Sequence, residues 1–190
     1  MGFIVEVSAR HVHLTQRNVE SLFGKGYNLT VSRYLSQPGQ YLSNEKLTVK
    51  LNGRCFESVS ILGPVRNFNQ VELSRTDCIY LKARQFLRES GDISGTESAT
   101  LMGPAGEISL TEGLIIAQRH IHMTPRDADI YHVTDRQTVS VEVGSDGRRL
   151  IFGDTVVRVS ESFALAMHID TDEGNAVMLP RDGGRGEINI

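Results

Sequence analysis

Short runs of alternating apolar and polar residues recur along the chain: IVEVSARHVHL (4–14), KLTVKL (46–51), SVSILG (58–63), QVELS (70–74), TVSVEV (138–143) and TVVRVS (155–160). A period of two, rich in β-branched residues, marks strands that keep one face against a core. Turn residues separate them, with Asn52-Gly53 and Ser145-Asp146-Gly147 placed for hairpins. The pattern turns helical over two short segments. Over 15–24, Thr15 caps the start, Val19, Leu22 and Phe23 share one face, and Gly24 provides the stop. Over 124–132, Thr124 precedes Pro125 at the first helical position, and His132 closes the segment where a cation suits the helix dipole. Many short strands and few helices predict a mainly β fold of small barrels rather than βαβ units.

Each predicted helix follows a copy of the same word, SARHVHLT at 8–15 and AQRHIHMT at 117–124. The repeated unit is therefore a strand, Arg-His-x-His, a capped short helix, then further strands. Set against each other, LGPVRNFNQVELSRTD (62–77) and FGDTVVRVSESFALAMHIDTDE (152–173) bring Glu72 opposite His168, with one residue of slippage expected beyond it. This reading divides the chain into a first β-barrel lobe over 1–90, a Gly-rich connection over 91–114, and a second lobe over 115–190. The lobes are related by internal duplication and capped by short helices. The final RDGGRGEINI is expected to be a mobile tail.

The repeat also carries the chemistry. Residues i and i+2 of a strand face the same way, so His11 pairs with His13 and His120 with His122. Four of the six histidines thus form two same-face pairs. Two imidazoles and one more donor make an open three-ligand metal site. The internal comparison supplies the third donors, giving His11, His13 and Glu72 for one ion and His120, His122 and His168 for another. Arg10 and Arg119 should point away from those faces, toward a salt bridge, a lobe–lobe contact or substrate. Asp170 and Asp172 alternate with His168 and are candidates to orient it. Gly63-Pro64-Val65-Arg66 ends a strand, so Arg66 is either a phosphate-binding guanidinium near Glu72 or a surface arginine. The loop SQPGQ (36–40) is a turn by composition.

Composition narrows the alternatives without choosing among them. A net charge of −3 shows no bias toward nucleic acid or an anionic membrane surface. No apolar run reaches the length of a spanning helix, and the start lacks a signal-peptide pattern, so a cytoplasmic protein is expected. Cys55 and Cys78 form no CxxC pair and offer neither a disulfide framework nor a thiolate zinc site. Neither Gly-x-Ser-x-Gly nor a Walker-type phosphate loop occurs. The HIDTDEGNA segment lacks the spacing of an EF-hand loop.

RHVHL, LSQPGQ, LGPVRNFNQVELSRTD, SGDISG, EGLIIAQRHIHM and MHIDTDEGNA, in that order across residues 8–176, resemble the PduL-type phosphate propanoyltransferases, also called phosphotransacylases. The resemblance implies two β-barrel lobes, a homodimer, and two divalent metal ions, zinc first among them, between the lobes. It implies exchange of an acetyl or propanoyl group between coenzyme A and inorganic phosphate, without a covalent acyl-enzyme. The metal ligands it implies are the two sets above, and Arg66 matches the family's phosphate-binding arginine. Arg33, Leu62, Ser90 and Asn175 fall where that family contacts coenzyme A. Ser60 departs from the pattern, standing where many members carry an arginine. The family's setting in propanediol degradation implies bacterial microcompartment shell or cargo proteins as partners. The first motif begins at residue 8, so the targeting extension of microcompartment members is expected to be absent. A metallohydrolase and a metal-stapled structural module are the rival readings.

Overall fold

The computed structural model describes residues 2–144, 147–180 and 182–189. In chain order the strands are β1 (Phe3–Ser8), β2 (His11–His13), β3 (Val31–Tyr34), β4 (Tyr41–Leu51), β5 (Arg54–Gly63), β6 (Gln70–Glu72), β7 (Leu87–Arg88), β8 (Glu97–Gly103), β9 (Gly106–Ala117), β10 (His120–Met123), β11 (Thr138–Val143), β12 (Leu150–Val159), β13 (Ala166–Asp170) and β14 (Gly184–Asn189). The helices are α1 (Gln16–Phe23), α2 (Arg75–Leu81), α3 (Pro125–Tyr131) and α4 (Thr171–Ala176). Strands hold 48% of the described residues and helices 15%, so the fold is mainly β, as the alternation predicts.

The chain forms two units, residues 10–35 with 39–117, and residues 1–9 with 36–38 and 118–190. In the first, β4, β5, β2, β6, β9 and β8 follow one another, and β8 returns to β4, closing a six-stranded barrel. The short β3 and β7 extend it at β4 and β9. In the second, β1, β13, β10, β12, β11 and β14 close a barrel of the same size. The two rings match strand for strand. In each, the Arg-His-x-His strand runs parallel to one neighbour, β5 or β12, and antiparallel to the other, β6 or β13.

Alternation fills both barrels. Val12, Ile61, Val71, Leu101 and Leu114 point into the first core, and Val5, Ile121, Val141, Val157 and Met167 into the second. Each is fully buried, and burying such a side chain contributes about 1.5–3 kcal/mol. Helices α1 and α3 take the predicted caps, Thr15 and Thr124, each accepting a hydrogen bond from the backbone three residues on. His132 is the C-cap of α3 with a left-handed φ of 54°.

Three boundaries differ from the sequence reading. The connection expected over 91–114 holds β8 and most of β9, a hairpin completing the first barrel. The tail expected to be mobile contains β14, which pairs with both β1 and β11. The strand β1, assigned by proximity to the first lobe, belongs to the second barrel, while β9, which leads into the second Arg-His-x-His, belongs to the first. The last two rest on non-local strand pairings, which a periodicity of two does not encode. Asn52 and Gly53 form the predicted β4–β5 turn with φ of 49° and 74°. The predicted turn at Ser145-Asp146-Gly147 rests on residues 145 and 146, outside the described residues.

Candidate functional site

Because Val12 and Ile121 point into the barrels, their flanking histidines project from the outer walls. His11 and His13 are nevertheless buried, at 6% and 3% exposure. Their rings lie edge to face with centroids 5.0 Å apart. The antiparallel register sets His11 directly opposite Glu72, whose neighbours Val71 and Leu73 are core residues. Glu72 Oε2 stands 3.4 Å from His11 Nε2, and Oε1 stands 3.6 Å from His13 Nε2. In the second unit the same register sets His120 opposite His168. There the ring centroids are 4.6 Å apart for His120 and His122, 4.9 Å for His122 and His168, and 5.2 Å for His120 and His168. Phe163 stacks on His122 at 4.1 Å. In each cluster one donor atom per residue falls within 4.8 Å of the others.

Two donors of the first cluster, His13 and Glu72, have the protonation states a divalent cation requires. Burial drives His13 from the ordinary imidazole value near 6.5 down to about 4, and the charges of His11 and Arg66 push the same way against Glu72. His13 is therefore neutral at physiological pH, and its Nδ1 is buried without a hydrogen-bond partner. Burial alone would raise Glu72, yet the neighbouring His11 and His13 rings hold it well below the usual carboxylate range. A buried neutral imidazole against a carboxylate makes a weak ion pair but a good donor set for zinc or a similar ion.

The third donor of the first cluster is held in place by hydrogen bonds. Glu72 Oε1 accepts from Gln70 Nε2 at 2.6 Å and from the Ser90 hydroxyl at 3.0 Å. Gln70 also donates to Ser90 and accepts from the Gly91 N–H. Arg66 Nη1 reaches Ser90 Oγ at 3.3 Å, which connects the guanidinium to the first cluster through one hydroxyl. Arg33 and Leu62 occupy one cross-strand row with Leu42, and Arg33 is exposed. Asn175 is exposed on α4. At the departure noted above, Lys46 sits opposite Ser60 and donates to its hydroxyl at 2.8 Å, bringing an ammonium to that position.

The arginines of the repeated word point away from the clusters into salt bridges. Arg10 donates to Asp77 twice, at 2.6 and 3.1 Å, and lies 4.2 Å over Phe56. Arg119 donates to Glu173 at 2.6 Å and lies 5.8 Å over Phe152. Asp77 and Glu173 are the third residues of α2 and α4 and close capping boxes with Ser74 and Asp170. Equivalent residues thus follow Glu72 and His168 by two and five positions, so the expected slippage does not occur. Asp170, expected to orient His168, is instead this N-cap, with burial raising it to about 6. The residue that does approach His168 is Glu6 on β1, which sequence reasoning missed. Its signal is a lone carboxylate between Val5 and Val7 in an otherwise apolar strand.

The sequence profile of the phosphate propanoyltransferase family matches residues 4–180. A phosphate propanoyltransferase from Thermotoga maritima is 51% identical over 178 residues, covering 94% of this chain and 85% of the relative. One from Lachnoclostridium phytofermentans is 52% identical over 181 residues, with 94% and 84% covered. One from Listeria monocytogenes is 48% identical over 187 residues, with 98% and 87% covered. A match over nearly the whole length, together with the duplicated barrels, makes this chain a member of the phosphate propanoyltransferase family.

Proposed function

We propose that the protein is a phosphate acyltransferase that exchanges a short acyl group, acetyl or propanoyl, between coenzyme A and inorganic phosphate, using two divalent metal ions. Family membership supports acyl transfer between these partners. The observation that carries the metal reading is the pair of buried three-donor clusters at matching registers. His11, His13 and Glu72 would hold one ion, and His120, His122 and His168 the other, with zinc the first choice for such donors. Bound there, the ions would supply Lewis acidity toward phosphate and the thioester carbonyl.

The reaction joins a phosphate oxygen to the thioester carbon and breaks the carbon–sulfur bond, releasing the coenzyme A thiol. Arg66 holds the phosphate oxygens that do not attack, through the fork geometry of its guanidinium. Ser90 and Gln70 keep Glu72 in place and, through Ser90, set the position of Arg66. Coenzyme A is proposed to meet Arg33, Leu62, Ser90 and Asn175, with Lys46 supplying the cation next to Ser60. Cys55 and Cys78 take no part, consistent with direct transfer without a covalent acyl-enzyme. A homodimer and an association with microcompartment shell or cargo proteins belong to the same proposal. No helix of the described residues is long and apolar enough to cross a membrane.

The test is thiol release from acetyl- or propanoyl-coenzyme A with and without phosphate, with metal content measured on the same sample. Phosphate-dependent release with two ions per chain is expected, and phosphate-independent release would identify a hydrolase instead. Arg66→Ala should raise the phosphate KM and lower kcat by on the order of a hundredfold, as losing one charge-stabilising donor does. Its metal content should match that of the wild type, and parallel loss of metal would contradict the assignment.

A further inference from the structure

The two clusters differ in composition, three donors with a carboxylate against three imidazoles, although their strands superpose in topology and register. We propose that Glu6 is the missing carboxylate of the second cluster, set one residue behind the ion as the positioning partner of His168. The proposal rests on the two-ion reading above and assigns a role to a residue outside both ligand sets.

Register shows how the two sites exchange parts. On β6, Glu72 pairs with Ile115 of the neighbouring parallel strand β9. At the equivalent place on β13, His168 pairs with Glu6 of β1. Where the first barrel has a carboxylate donor backed by an apolar side chain, the second has an imidazole donor backed by a carboxylate. The supporting residue two positions earlier changes in step. Opposite His13 stands Gln70, which bonds Glu72, whereas opposite His122 stands Ala166, which has no polar side chain to offer. Support comes from the donor's own strand and from Ser90 in one barrel, and from the adjacent strand in the other.

The contact has the right sense. Glu6 Oε2 lies 3.5 Å from His168 Nδ1, and the Ser36 hydroxyl donates to the same oxygen at 2.6 Å. Among the described residues, Glu6 does not join the donor cluster. A carboxylate at Nδ1 selects the tautomer with its proton there, which leaves the Nε2 lone pair as donor and increases its basicity. With Glu6 counted, each site sets one carboxylate beside its imidazoles, so two ions of the same kind can be held with similar charge balance.

The proposal is tested by titrating zinc, against a chromophoric chelator, into metal-free wild type, Glu6→Gln and Glu6→Ala. Circular dichroism and thermal melting check that each variant is folded. Wild type should take up two ions. Glu6→Ala should retain one at wild-type affinity and bind the other on the order of 10- to 100-fold more weakly. Glu6→Gln, which can still accept a hydrogen bond, should fall between them. Nitrogen chemical shifts of the metal-free protein should show His168 protonated at Nδ1 in wild type and divided between tautomers in Glu6→Ala, a change that mere loosening of the strand would not produce. A wild type that binds two ions while Glu6→Ala binds both unchanged overturns the role of Glu6 alone. A wild type that binds fewer than two overturns the two-ion reading and this proposal with it.

Discussion

At the scale of single residues, burial has fixed protonation before any ion arrives. His13 is neutral because its ring is sealed from water and lies near His11 and Arg66, which depress it to about 4. The unfolded chain would protonate the same ring near 6.5. A depressed imidazole contributes stability that is present above the unfolded value and is lost as pH falls toward the folded one. The shift corresponds to on the order of 3 kcal/mol between pH 6.5 and 4. Asp170 has the opposite sign in an overlapping window. Burial raises it to about 6, so its contribution is present at low pH and lost as pH rises. The wild-type curve mixes the two, but a difference curve separates them. In chelator-treated protein, the stability advantage of wild type over His13→Gln, read by denaturant unfolding, should be largest near pH 7 and shrink steadily toward pH 4. A pH-independent gap would show that the ring is hydrated and titrates normally.

At the scale of elements, the arginine of each repeated word fastens the strand carrying two donors to the helix that follows the third. Asp77 is almost wholly buried, accepts two bonds from Arg10 and closes the capping box of α2; Glu173, partly buried, accepts one bond from Arg119 and closes the box of α4. Asp77→Ala removes the charge-assisted pair and half of the capping box together. It should lower unfolding stability by roughly 1–3 kcal/mol, against no measurable change for exposed Glu57→Ala, and Arg10→Ala,Asp77→Ala should lose less than the sum of the singles. Additive losses would mean the pair is not coupled. The sequence made the donors legible because strand alternation and the internal repeat are local patterns. The helices α2 and α4 escaped because six or seven residues are too few for a periodic apolar face. Only their Ser74-x-x-Asp77 and Asp170-x-x-Glu173 boxes announced them. Glu6 escaped for another reason, since its partner is set by a strand pairing spanning most of the chain.

At the scale of the molecule, the exchange of leading strands decides which pieces can stand alone. Residues 10–117 contain all six strands of the first barrel, β2, β4, β5, β6, β8 and β9. Residues 118–190 contain five of the second and lack β1, so β13 and β14 would each present an unpaired edge. Open edges of this kind leave backbone groups without partners and invite aggregation. The β1–β14 pairing is antiparallel, with Phe3 opposite Gly186 and Val5 opposite Gly184. That register brings the end of β14 beside the start of β1, at the spacing of a short hairpin. A permuted chain running 118–190, a Gly-containing turn, then 1–9 should therefore restore the barrel. We expect residues 10–117 and the permuted chain to unfold cooperatively, the permuted chain binding one zinc ion through His120, His122 and His168 with Glu6 restored behind them. Residues 118–190 alone should show no cooperative transition and no tight zinc site. Cooperative unfolding of that five-stranded piece would mean that β1 is an accessory edge strand, and the matching of the two barrels strand for strand would then have no energetic consequence.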